Sequence, residues 1–346
     1  MIKKIVVVSI LLNISGRSFG QDIQFSQYYA APIYLNPAFT GITEHHRVIS
    51  NYRVQWPALP RAFSTYAFSY DFNPPRFKSN FGLLFYTDRA GTANLRTQNI
   101  AATYAYTISL KNWVIQPGLQ FGYGSRNIDY NNLLYSDQLG AGNVDPNDAT
   151  FRQILDNGGR VDYFDFGAGI LIYNRKYWFG LSAHHINQPS NSFTGESTIL
   201  PMKISAQVGA RFTVMTGGMR NRKESYFVPS LIYRNQSLFD QLDFGFQYIY
   251  PPVMFGIWYR GIPFQEQIDY FNHDGIVFML GLNLEIFEVG YSYDFTVSRL
   301  SNVGAGAHEL SIIYQFKTER LKRYTRKDKS IPCPALQKTL ITEEFL

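Results

Sequence analysis

The chain has 346 residues, with 32 basic and 26 acidic side chains for a formal charge of +6, and 16% of it is aromatic against 17% charged. Such a composition excludes a disordered chain. The single cysteine, Cys333, excludes an internal disulfide framework and a cysteine-based zinc site, and no run in the body of the chain approaches the roughly 18 apolar residues of a helical membrane span. The charge is concentrated at the ends, in Lys3, Lys4, Arg17 and residues 317–346, so that residues 21–316 carry about −1. That is no footprint for a phosphate backbone, and nucleic acid is excluded as a partner.

Residues 1–20 begin with Lys3 and Lys4, continue through an apolar stretch over 5–12, and end with the small residues Ser18 and Gly20. This is the order of a secretory signal peptide, with Gln21 as the expected mature N-terminus. No cysteine follows the apolar stretch, so no lipoprotein anchor is expected. Residues 21–45 come next, polar and aromatic, with the turn dipeptides Asn36-Pro37 and Thr40-Gly41. We expect a short irregular segment in which Phe25, Tyr28, Tyr29, Asn36 and Pro37 make contacts. It reads as a plug inside a barrel or a periplasmic docking element, or as simple filling for stability.

From 46 to 317 one pattern recurs: about ten residues of alternation, then a turn. Over 97–110, Ile100, Ala102, Tyr104, Tyr106, Ile108 and Leu110 share one face, opposite Thr97, Asn99, Ala101, Thr103, Ala105, Thr107 and Ser109. Residues 202–214 set Ile204, Val208, Phe212 and Val214 against Lys203, Ser205, Gln207 and Arg211, and residues 287–297 set Phe287, Val289, Tyr291, Tyr293 and Phe295 against Glu288, Gly290, Ser292 and Asp294. Period two with one apolar face is the signature of a half-exposed strand. Strands are predicted near 46–56, 62–72, 79–88, 97–110, 112–126, 161–173, 176–187, 202–215, 224–235, 240–250, 253–261, 275–285, 286–298 and 307–317, about fourteen in all.

Most connections at one rim are tight turns, as at Lys111, Asn174-Arg175 and Pro251-Pro252. Those at the other rim are longer, including 127–160, 188–201 and 262–274. This asymmetry, with an even strand number, is that of an all-β transmembrane antiparallel β-barrel whose long loops face outward. A soluble sandwich or propeller is the competing fold. Aromatic residues at strand ends, such as Tyr104 and Tyr106, Tyr248 and Tyr250, Trp258 and Tyr259, and Tyr291, Tyr293 and Phe295, favour the barrel, because rings at headgroup level form its girdles. The small polar opposite face suits a lumen.

After Phe316 the alternation stops. Residues 318–346 form a basic tail with Arg320, Lys322, Arg323, Arg326 and Lys327, and an even strand count puts it in the periplasm. It reads as a solvated end, a lipid-headgroup contact or a docking arm for an acidic periplasmic component. Cys333, between Pro332 and Pro334, is expected to be exposed.

The motifs Gln21-Asp-Ile-Gln-Phe-Ser-Gln-Tyr-Tyr29, Leu35-Asn-Pro-Ala-Phe-Thr-Gly41 and Tyr52-Arg-Val-Gln-Trp56 stand at one end. Tyr291-Ser-Tyr-Asp-Phe-Thr-Val-Ser298 and His308-Glu-Leu-Ser-Ile-Ile-Tyr-Gln-Phe316 stand at the other. Together they resemble the opening and closing motifs of the PorP/SprF family of type IX secretion system membrane proteins. The resemblance implies an outer-membrane barrel without enzymatic activity or cofactor. The partners it implies are the type IX machinery and a secreted cargo recognised by its C-terminal sorting domain. A diffusion channel for small solutes, with the N-terminal segment as its plug, is the other reading.

Metal and catalytic chemistry find little support. His45-His46 and His184-His185 are adjacent pairs, and neighbours on a regular strand point to opposite faces. His273-Asp274 falls on a predicted loop with no nucleophile identified. Asp129, Asp137, Asp145, Asp148 and Asp156 in the long loop lack the spacing of a calcium site. Glycines at 118–124 and 167–169 are strand positions where close packing or a plug is admitted.

Overall fold

The computed structural model describes residues 22–43, 45–59, 61–74, 77–91, 94–128, 159–193, 198–215, 224–267, 270–284, 286–297, 306–316, 333 and 335. Sixteen strands follow in chain order: β1 (His45–Gln55), β2 (Phe63–Asn73), β3 (Ser79–Ala90), β4 (Leu95–Tyr106), β5 (Ile108–Leu110), β6 (Trp113–Asn127), β7 (Arg160–Tyr173) and β8 (Tyr177–His184). They continue with β9 (Lys203–Ala210), β10 (Phe212–Met215), β11 (Ser225–Gln236), β12 (Phe239–Tyr250), β13 (Val253–Gln267), β14 (Tyr270–Asn283), β15 (Phe287–Thr296) and β16 (Ala307–Phe316).

Two of these breaks are interruptions within a single stave. β5 continues β4 along β6, and β10 continues β9 along β11. At each break the ladder to the preceding stave runs on by one residue, Thr107 N donating to Lys78 O and Arg211 N to Lys176 O, both at 2.7 Å. Fourteen antiparallel staves therefore form the ring. β16 closes on β1 over ten residue pairs, His46↔Phe316 to Gln55↔Ala307. The chain is a closed fourteen-stranded barrel of the outer-membrane type, as the alternation predicted.

The two faces separate as the sequence implies. Phe81, Leu83 and Phe85 on β3, Leu119 and Phe121 on β6, and Leu280 and Leu282 on β14 point outward and are exposed. Their neighbours Asn80, Gln120 and Met279 are buried inside. Large apolar side chains on the outside and polar ones within reverse the arrangement of a soluble protein, and only a surrounding of lipid makes that favourable. The girdle reading fails at Trp258, which is 4% exposed and points into the lumen, where its indole N–H donates to Ser230 Oγ (3.3 Å).

Two local expectations are corrected. His185 has left the strand with φ +56°, so both rings of the His184-His185 pair are buried, where regular alternation would have split them. The predicted outer loop over 262–274 is instead largely strand, because β13 runs on to Gln267 and β14 begins at Tyr270. The aspartates of the long loop lie outside the described residues.

Leu119→Arg, near the middle of β6 on the outward face, is expected to destabilise the barrel by about 2–4 kcal/mol in lipid, with Leu119→Phe nearly neutral. Reversible unfolding from vesicles measures both.

Candidate functional site in the barrel lumen

The N-terminal segment enters the ring and lies inside it. Its local shape follows from its turn residues. Tyr28–Ala30 and Pro37–Phe39 are 3₁₀ turns and Pro32–Leu35 is one turn of α-helix, the latter two opened by proline at a position whose N–H has no intrahelical partner. Asn36 caps the last turn, its Oδ1 accepting from Ala38 N at 2.8 Å. Gly41 supplies the positive φ (+63°) that turns the chain toward β1.

The same Asn36 ties the segment to the wall. Its Nδ2 donates to Ile170 O (3.3 Å) and Leu181 O (3.1 Å), on β7 and β8. Two glycines permit this approach: a Cβ on Gly169 would lie 2.0 Å from Asn36 Oδ1, and one on Gly118 would lie 2.5 Å from Ala38 N. On β6, Gln116 Nε2 donates to Ala38 O and Thr40 O, each at 2.9 Å.

Three charge-balanced clusters hold the rest. Nearest the short-turn rim, Arg47 forks onto Asp71 (Nε–Oδ1 2.8 Å, Nη2–Oδ2 3.0 Å) and donates to Phe39 O (3.2 Å), while Gly41 N donates to Asp71 Oδ2 (2.7 Å). Toward the long-loop rim, Arg53, Arg260 and Arg234 alternate with Glu309, Asp294 and Asp243. Ser26 sits among them: its N–H donates to Glu309 Oε2 (2.7 Å), its hydroxyl donates to Asp294 Oδ2 (2.6 Å), and it accepts from Arg53 Nη1 (2.7 Å). Gln27 extends the contact, donating from its N–H to Glu309 Oε1 (3.2 Å) and accepting from Ser311 Oγ (2.6 Å).

The third cluster gathers Asp22, His185, Asp165 and Lys203. His185 Nε2 meets Asp22 Oδ2 at 2.8 Å and its Nδ1 meets Asp165 Oδ1 at 2.9 Å, so both ring nitrogens must carry protons to donate; Lys203 Nζ reaches Asp22 Oδ2 at 3.0 Å. Burial alone would lower the His185 pKa, but Asp22 and Asp165 outweigh it and raise it to about 9. Burial alone would raise that of Asp22, yet Lys203 and His185 hold it well below the usual carboxylate range.

Of the five N-terminal residues singled out from the sequence, Phe25, Tyr29, Asn36 and Pro37 are buried here and Tyr28 is half-buried. Phe25 packs edge-on against Tyr34, Tyr28 against Trp258 with its hydroxyl 2.6 Å from Ser230 Oγ, and Tyr29 donates to Gln27 Oε1; Asn36 and Pro37 stand against β6, β7 and β8. Arg320, Lys322, Arg323, Arg326 and Lys327 lie outside the described residues. Cys333 is not exposed as expected: at 3% exposure it joins the apolar cluster of Tyr173, Trp178, Leu35 and Phe39. Beside this cluster, one gap between segment and wall, lined by Leu35, Phe39, Trp178 and Ile232, is a cavity of about 10 Å³, room for about one water.

The sequence reading missed the charged residues of the wall. Their signal was present, since each interrupts the small polar face of a strand. Arg47↔Asp71 and Arg53↔Glu309 are also direct cross-strand partners. Among the described residues no group of three or more His, Cys, Asp or Glu is placed to hold a metal ion.

A family model described as type IX secretion system membrane protein PorP/SprF matches residues 17–314. The chain belongs to the PorP/SprF family. This PorP/SprF chain is accordingly an outer-membrane β-barrel of the type IX secretion system, a membership that implies association with the secretion machinery. Among solved structures it is similar to the CymD monoaromatic hydrocarbon channel (13% identity, 84% of this chain and 94% of that one, TM-score 0.46). It is also similar to the P. putida toluene transporter TodX (11%, 82% and 93%, 0.45) and to the Acinetobacter baumannii outer membrane protein Omp33 (9%, 80% and 100%, 0.40). No curated protein matches the sequence.

Asp71→Ala would strand Arg47 in the lumen and is expected to cost about 3–5 kcal/mol, measurable by denaturant unfolding. The His185 cluster gives a pH dependence. Its stabilisation is complete below the unfolded histidine value, near 6.5, and is lost as pH rises through about 9, while the Asp22 share is lost only in acid, below about 3.9. Thermal melts between pH 6 and 10 should fall on the alkaline side, and His185→Gln should flatten that limb.

Proposed function

We propose that this barrel is a plugged interaction platform of type IX export, in which residues 22–43 are a fixed plug and the protein works through its two rims and not through a pore. The long outer loops engage a secreted cargo protein bearing a C-terminal sorting domain, supporting its export or its retention at the surface. The short-turn side, with the basic tail of residues 318–346, contacts periplasmic parts of the machinery. The outward apolar face meets outer-membrane lipid, and delivery there uses a signal peptide over residues 1–20.

The observation that carries this reading is the way the lumen is occupied. The N-terminal segment is bonded to staves all round the ring, from Glu309 on β16 to Gln116 on β6 and Ser182 on β8. A diffusion channel needs a continuous water path through the wall of contacts, whereas an anchor does not. Membership in a secretion family supports the same conclusion.

Planar-bilayer recordings test it. The full mature chain is expected to show no stable open conductance, and deletion of residues 22–41 to open one and to weaken cargo export at normal barrel levels. High conductance of the full chain, or export unchanged by the deletion, would count against the proposal.

A further inference from the structure

The chain leaves the ring at Phe316, the last residue of β16, which pairs with His46 at the short-turn rim. Seventeen residues further on, Cys333 is buried inside the wall, in one apolar cluster with Leu35, Phe39, Tyr173 and Trp178 and within electrostatic reach of the Tyr173 hydroxyl. Tyr173 ends β7 and pairs with Trp178 on β8, the last rung before a short turn. Cys333 therefore lies toward the same rim as Phe316, but not beside it. Counting staves from β16 through β1, β2, β3, β4, β6 and β7, β8 is the seventh of fourteen, on the opposite side of the ring.

A ring of this strand number is roughly 25–30 Å across, from the spacing and tilt of its strands. Seventeen residues of chain reach about 60 Å at full extension, length enough to bring the tail to the far wall. Ala335 is there as well. It lines the cavity of about 10 Å³ together with Leu35 and Phe39 of the N-terminal segment and Trp178, Gln207 and Ile232 of the wall.

The seat that receives these two residues is underfilled. Gln207 is 3% exposed, yet neither its Oε1 nor its Nε2 has a hydrogen-bond partner. A buried amide left unpaired is unfavourable, and side chains as small as those of Cys333 and Ala335 bury little apolar surface to offset it. The contact nevertheless falls where it bears on the N-terminal segment, since Leu35 and Phe39 stand on either side of the Asn36 cap that ties that segment to β7 and β8.

We propose that Cys333 and Ala335 form a releasable anchor, which docks the C-terminal tail inside the short-turn mouth of the lumen and holds it against Leu35 and Phe39. The occupant of the seat is the chain's own tail, which is then tied to the barrel at two places, and its release bares the apolar side chains of Leu35, Phe39 and Trp178. This goes beyond the platform reading, which leaves the attachment of the tail open, and does not depend on it.

Cys333 is the only cysteine of the chain, so a polar maleimide reads the anchor directly on the purified full-length barrel. Labelling of the folded protein is expected to be at least tenfold slower than labelling in guanidinium. Ala335→Glu, which alters the tail and leaves every strand as it is, should raise the folded rate at least fivefold. Gln207→Leu, which removes the unpaired amide, should lower it at least threefold. In the Tyr173→Cys variant a short bis-maleimide should bridge the two thiols within one chain. Unchanged heat-modifiable mobility reports that each variant keeps its barrel.

A thiol that labels as fast folded as unfolded, or a folded rate that Ala335→Glu leaves unchanged, would overturn the anchor. Bridges that join two chains would put a second copy in the seat and overturn it as well. A rate unaltered or raised by Gln207→Leu would overturn the underfilled seat as the reason the anchor releases. Thiol labelling reads neither conductance nor export, so failure of the anchor is distinguishable from failure of the platform reading.

Discussion

Hydrocarbon offers no hydrogen bonds, and that single fact organises the molecule. Every backbone N–H and C=O at membrane depth has to find a partner within the chain, which for strands means closing the sheet into a ring. Closure by the β16 to β1 ladder abolishes the edges, and the pleat then sorts side chains into two populations. Phe81, Leu83 and Phe85 go to the lipid, and Asn80, Gln116 and Gln120 go inward. The inward set creates a second demand, since polar groups in a filled lumen need partners from protein or water.

The N-terminal segment meets part of that demand, with backbone as much as with side chains, while Asn99 and Gln207 keep buried polar atoms without a protein partner. Ser26, Gln27 and Gly41 present N–H groups to Glu309 and Asp71, and Phe39, Ala38 and Thr40 present carbonyls to Arg47 and Gln116. Each charged cluster is balanced: one cation with one anion at Arg47, three with three around Arg53, two with two around a protonated His185. Buried pairs of this kind add little net stability over apolar packing, but breaking one is expensive. They fix where the segment sits more than how tightly the barrel holds together.

Much of this was legible in the sequence, and the physical reasons differ by feature. Period-two alternation is a direct image of the two environments, so the fourteen staves and the identity of the lipid face could be read from runs such as 97–110 and 202–214. Turn dipeptides marked the irregular segment. What could not be read was pairing across distance. Nothing local to His185 announces that its backbone leaves the strand, and nothing local to Cys333 announces that a tail residue returns to pack beside Tyr173 and Trp178. The hairpin over 261–274 was read as a loop because Pro263 and the irregular spacing around Glu266 erase the alternation, while the backbone pairing survives through shifts in register.

The contrast between the two ends of the barrel bears on how such a protein works. Toward the short-turn rim, Leu35, Phe39, Trp178 and Cys333 belong to one buried apolar cluster inside the wall. Toward the other rim, charge clusters lie beside a second apolar cluster of Phe25, Ile33, Leu84 and Tyr86, and β13 and β14 stay paired after their pairing with β12 and β15 has stopped. In a filled barrel the interior gives position, and the chemistry available to partners lies where the strands stop being paired.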